Sequence, residues 1–109
     1  MKILKFVIAI KSGNLESLNT AYNFTNSTLK KDQINIKLVF FYQYGTYILL
    51  NTEINHKWST LLENNNLLGL VCSSSCKKRG INNINAPFKP SSIVEFIDNC
   101  ETADRIIHF

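Results

Sequence analysis

The sequence predicts one α/β domain over residues 1–109, built on a mostly parallel sheet with helices on both faces. Three observations predict it. Strand-like and helix-like segments alternate along the chain, which implies right-handed βαβ crossovers. The first segment, Ile3 to Ile10, is apolar except at Lys5, the pattern of a strand covered on both faces. A length of 109 residues with 45% hydrophobic and 18% charged residues suits one ordinary globular core.

Ser12-Gly13-Asn14 breaks the first strand. A helix follows over Leu15 to Leu29, where Leu15, Leu18, Tyr22, Thr25 and Leu29 recur at helical spacing. Lys30-Lys31 suits the negative end of its dipole. The β-branched and aromatic run Ile34 to Phe41 is the second strand. Tyr42 to Tyr47 then reads as an aromatic loop turning at Gly45. Ile54, Trp58, Leu61 and Leu62 share one face of a second helix, Glu53 to Asn65, ended by Asn64-Asn65-Asn66. Leu67 to Val71 is the third strand, and the helix that starts at Ser73-Ser74-Ser75 stops at Gly80. Residues 81–90 are irregular, with a short strand near Ile84. Pro90-Ser91-Ser92 opens a last helix to Asn99 with Ile93, Val94, Phe96 and Ile97 on its apolar side, and residues 104–109 form a final strand.

The net charge of +4 permits an anionic partner without demanding one. The N-terminal apolar core, Phe6 to Ile10, falls short of the roughly 7–15 residues of a signal peptide. No stretch approaches a transmembrane span. Three cysteines without a secretion signal are expected as reduced cytosolic thiols rather than a disulfide framework.

Chemistry concentrates at Cys72, where an apolar strand gives way to a helix start. In open α/β sheets, sites gather at the carboxyl ends of strands, beside helix amino ends. The free N–H groups and helix dipole there favour a thiolate, and the thiolate is the nucleophile. The competing reading is an inert buried cysteine. Cys76, four residues on, is a resolving cysteine if both thiols share one helix face, and otherwise a small core residue. Cys100 on the last helix reads as structural. Lys77-Lys78-Arg79 either stabilises an anion at Cys72 or forms a solvated helix end. Tyr42, Tyr44 and Tyr47 read as an interface or as packing over the sheet's end. His56 and His108 lack partners at metal-ligand spacing. Ser12-Gly13-Asn14 holds a single glycine, so no dinucleotide fingerprint follows the first strand.

Three segments together resemble the DsrE/TusD family of small sulfur-relay proteins, and within it the TusD type of subunit. They are Val39 to Tyr47; Val71-Cys72 with Lys78-Arg79-Gly80-Ile81; and the ending Thr102-Ala103-Asp104-Arg105-Ile106-Ile107-His108-Phe109. The likeness spans residues 39–109. The resemblance implies a cytoplasmic sulfurtransferase that carries a persulfide on Cys72, with no cofactor or metal, in the relay that thiolates the wobble uridine of tRNA. It implies TusB-like and TusC-like subunits in a heterohexamer, a TusA-like donor and a TusE-like acceptor. A run of three basic residues falls short of a nucleic-acid footprint, so direct tRNA contact is not expected, and neither is a membrane. Three departures stand out. Lys11-Ser12-Gly13-Asn14 replaces the family's glycine- and proline-containing loop, Ser73-Ser74-Ser75-Cys76 stands where small apolar residues are expected, and Ala103 stands where a cysteine is frequent. The alternatives are a non-catalytic subunit of the same kind of complex, a redox module using Cys72 and Cys76, and a homo-oligomeric DsrE-like protein of sulfur oxidation.

Overall fold

In the computed structural model, which describes residues 2–109, strand β1 (Leu4–Ile10) lies inside the sheet and buries Val7, Ile8, Ala9 and Ile10 completely. Met1 of the predicted domain lies outside the described residues. β1 pairs in parallel with β2 (Ile34–Phe41) on one side and with β5 (Arg105–His108) on the other. β2 pairs with β3 (Leu68–Cys72), and β3 with β4 (Phe88–Ser91). The result is a five-stranded, all-parallel sheet in the order β4-β3-β2-β1-β5.

Successive strand residues point to opposite faces, and two apolar clusters follow. Ile8, Ile10, Val39, Phe41 and Val71 pack beneath α1 (Leu15–Thr28), α2 (Thr52–Asn64) and α3 (Ser73–Lys78). Val7, Leu38, Phe40, Leu70 and Cys72 form the other cluster, against Phe96 and Cys100 of α4 (Ile93–Cys100). Helices therefore cover both faces, as the sequence predicts. Each apolar side chain buried this way contributes about 1.5–3 kcal/mol.

Local chemistry explains the helix ends. The side chains of Asn14, Asn51 and Ser92 each accept a hydrogen bond from the N–H three residues on, capping α1, α2 and α4. Gly80, at φ +69°, ends α3 in a Schellman turn: Ile81 N–H donates to Cys76 C=O at 2.9 Å and Gly80 N–H to Lys77 C=O at 3.2 Å.

Two expectations are corrected. The segment after β2 is a 3-10 helix, Gln43–Leu49, rather than a loop. The short strand is β4, four residues beyond Ile84, and it contains Pro90. Phe88 decides this register, because its ring meets Phe41 edge-on at 5.7 Å in the core. Proline, lacking an N–H, is tolerated because β4 is an edge strand with β3 on one side only.

Asp104 fastens β5 to the sheet. Its carboxylate accepts from Lys5 N–H at 2.7 Å, its own N–H donates to Lys5 C=O at 2.7 Å, and Lys2 Nζ lies 3.6 Å away. The Lys5 N–H, more than the nearby lysine charges, holds the Asp104 carboxyl below its ordinary range. A carboxylate lowered on folding stabilises above its unfolded range, and that contribution is lost as pH falls through the folded value. Asp104→Asn is therefore expected to lower the denaturant midpoint near neutrality and leave it unchanged in strong acid.

Candidate functional site

The carboxyl ends of the strands carry the loops that build the site. β3 exits into α3 on one face, whereas β4 exits into α4 on the other. Such a divergence opens a crevice at the carboxyl ends of neighbouring strands. Cys72, the last residue of β3, pairs with Ser91, the last of β4, and so sits at that divergence. The strand runs one residue further than predicted, to Cys72 itself, which is also the N-cap of α3.

A pocket of about 330 Å³ lies above the sulfur, lined by Tyr42, Gln43, Cys72, Ser74, Ser75, Lys78, Arg79 and Ile93. Cys72 is only 3% exposed, so a reacting group has to enter the pocket to reach it. A larger cavity of about 420 Å³, near Leu67, Leu68 and Lys89, lies by the opposite strand ends and is lined by no thiol.

Burial pushes the Cys72 thiol up, but the hydroxyls and N–H groups of Ser74 and Ser75 outweigh it and hold the thiol below its ordinary value. Ser74 Oγ lies 3.3 Å from Cys72 Sγ. Ser75 Oγ accepts from Gln43 N–H at 2.9 Å, leaving its own proton to donate. The sequence reading missed both serines and assigned the electrostatic help to the basic cluster as well as to the N–H groups. Their signal was present, since hydroxyls two and three places after a helix-capping cysteine fall in the first turn beside it. Ser74→Ala and Ser75→Ala are each expected to move the pH midpoint of Cys72 alkylation upward, and the double variant further. Rates of iodoacetamide labelling against pH, followed by mass, measure this.

The other predicted residues separate. Cys76 packs in the α1–α2–α3 cluster and Cys72 in the α4 cluster, although the two thiols remain near enough for their charges to interact. Burial pushes Cys76 up, and the neighbouring Cys72 adds to this against a partial offset from Arg79. Cys100 is half-buried in the α4 cluster, also pushed up by burial. All three cysteines are free. Tyr42 stacks on Phe40 at 5.5 Å and packs beside Phe96, whereas Tyr44 and Tyr47 stack on each other at 6.3 Å and remain exposed. The aromatic segment is thus half packing and half surface. Arg79 stands over the Tyr44 ring at 4.6 Å and donates to Ser75 C=O at 3.0 Å, tying α3 to the 3-10 helix. His56 and His108 are exposed on α2 and β5.

Two glycines hold these loops together. A Cβ at Gly13 would stand 2.1 Å from Tyr44 O, and one at Gly45 would stand 2.2 Å from Ile10 O. The replacement loop Lys11-Ser12-Gly13-Asn14 therefore keeps the glycine that close approach requires.

A DsrE/DsrF-like family model matches residues 4–109. The chain belongs to the DsrE/DsrF-like family. This family is associated with sulfur transfer. Among solved structures, the crystal structure of the ychN protein from E. coli superposes with a TM-score of 0.67 at 16% identity, covering 100% of both chains. That likeness supports the fold. No curated protein sequence matches the chain significantly. Among the described residues no helix is long and apolar enough to cross a membrane.

Proposed function

We propose that this DsrE/DsrF-like chain is a persulfide-carrying sulfurtransferase subunit of the TusD type, working in the relay that 2-thiolates the tRNA wobble uridine. The observation that carries the reading is a thiol held low by Ser74 and Ser75 in a pocket at the divergence of β3 and β4. The Cys72 thiolate attacks the outer sulfur of a donor persulfide, R–S–SH. A bond forms between Cys72 Sγ and that sulfur, the donor's S–S bond breaks, and R–S⁻ leaves. The proton stays on the transferred sulfur, giving Cys72–S–SH, and an acceptor thiolate removes the outer sulfur by the same exchange. No net oxidation occurs.

In this reading the donor is TusA-like, the acceptor TusE-like and the compartment cytoplasmic. TusB-like and TusC-like subunits complete a heterohexamer, for which exposed Tyr44, Tyr47 and Leu50 offer contacts. The disulfide-module alternative is disfavoured because burial and the neighbouring Cys72 both push the Cys76 thiol up, which makes it a poor resolving group. The non-catalytic alternative leaves the lowered thiol without a purpose. The test is intact-mass spectrometry after incubation with a persulfide donor. A reducible gain of one sulfur atom, mapped to Cys72, is expected. No gain, even with the partner subunits present, would overturn the proposal.

A further inference from the structure

We propose that the mouth of the Cys72 pocket docks an extended segment of a partner protein whose reactive cysteine stands between acidic residues on one side and apolar residues on the other. The inference rests on the persulfide-carrier reading and names the kind of partner that reading requires.

Access sets the shape of the partner. Cys72 is 3% exposed at the base of its pocket, so a flat protein surface cannot bring a sulfur into line with it. A chain end or loop tip can enter. The opposing walls set the chemistry. On the α3 side stand Lys78 and Arg79, with Lys77 exposed beside them. No carboxylate lines the pocket, and among the described residues the one ion pair is Lys2 with Asp104, at the far end of the sheet. These cations are therefore available to a carboxylate-bearing partner. Arg79 is held in place by Tyr44 and by Ser75 C=O, so it presents a fixed charge.

The α4 side is apolar at the pocket itself, although Glu95, whose carboxylate accepts from Ser91 Oγ, and Asp98 are exposed on the same helix. Ile93 lines the pocket and is 45% exposed, and Val94 and Ile97 beside it are 63% and 51% exposed. Phe96 and Cys100 turn the other way, into the sheet cluster. One helix face thus leaves an apolar ledge that begins at the nucleophile's pocket. A segment crossing from the cations to the ledge would carry its cysteine over Cys72. Charge on one flank and apolar contact on the other would fix its direction.

The test uses the full chain and short synthetic peptides, each with one central persulfidated cysteine. The peptides differ in their flanks: acidic then apolar, neutral throughout, or lysine-bearing then apolar. At low salt the acidic–apolar peptide is expected to load Cys72 about tenfold faster than the lysine-bearing one, with the gap closing as salt rises. The double variant Lys77→Glu/Lys78→Glu is expected to reverse that order, and Val94→Asp to slow the acidic–apolar peptide. Faster loading of the lysine-bearing peptide on the charge-reversed variant also shows that the variant is folded. Equal rates for all three peptides would overturn the docking inference while leaving Cys72 as the carrier. Failure of every peptide to load Cys72 would overturn the carrier reading itself. An anticodon stem-loop RNA that blocks acidic-peptide loading at physiological salt would assign the mouth to nucleic acid and overturn the inference too.

Discussion

Cys72→Ser is expected to abolish sulfur loading completely while leaving the fold intact. Serine is close in size to cysteine, and the site already accommodates hydroxyls from Ser74 and Ser75. The stability change is therefore expected to stay within about 1 kcal/mol. The chemistry does not survive, because only a thiolate at this position is both nucleophilic and able to hold a persulfide. Neither remaining cysteine can substitute. Cys76 is 2% exposed in the opposite cluster and Cys100 is packed at the end of α4, and burial pushes both thiols up. Cys76→Ser, by contrast, is expected to load sulfur at the native rate. Intact-mass measurement of the native chain and both variants, with far-ultraviolet circular dichroism to check folding, separates these outcomes. Equal sulfur gain in native and Cys72→Ser protein would move the carried sulfur elsewhere.

Trp58→Ala is expected to cost about 3–5 kcal/mol of folding stability. Trp58 is fully buried where α1, α2 and the sheet meet. Its ring stands edge-on to Phe41 at 5.2 Å and to Tyr22 at 5.8 Å, and its Nε1–H donates to Leu18 C=O at 3.2 Å. Alanine would leave a cavity bounded by rigid helices and strands, which close only partly around it. With about 4–8 °C of melting temperature per kcal/mol for a domain of this size, thermal denaturation should show the loss clearly. Trp58→Phe retains most of the apolar contact and gives up one hydrogen bond, so about 1–2 kcal/mol is expected. An alanine variant that melts within a few degrees of native would mean that the helices collapse onto the sheet.

The strands and long helices were legible because their signals are local. Largely apolar runs at Ile3–Ile10, broken at Lys5, and Ile34–Phe41, broken at Asn35 and Lys37, fit strands covered on both faces. Leu18, Ala21 and Thr25, or Ile54, Trp58, Leu61 and Leu62, line up at helical spacing wherever the helix is placed. The short segments failed for the opposite reason. A four-residue strand containing Pro90 carries no periodicity of its own and exists because Phe88 packs on Phe41 and β3 offers its free edge. The 3-10 helix after β2 depends on the close approach of Gly13 and Gly45 to neighbouring backbone, which no local pattern encodes.

At the site, the sequence by itself singled out Cys72 as the proposed nucleophile: a cysteine between an apolar strand and a helix start is a matter of adjacent residues and elementary electrostatics. It also determined the alternation of strands and helices, and with it the parallel sheet. Only the tertiary structure decided what surrounds the sulfur. Helices α3 and α4 leave opposite faces of the sheet, which opens the pocket between β3 and β4 and sends Cys72 and Cys76 into different clusters. Gln43 reaches Ser75 across 32 positions, freeing that hydroxyl's proton. The physical reason is that a thiol's acidity and access depend on groups close in space, and the chain brings those groups together only after the sheet has chosen its order.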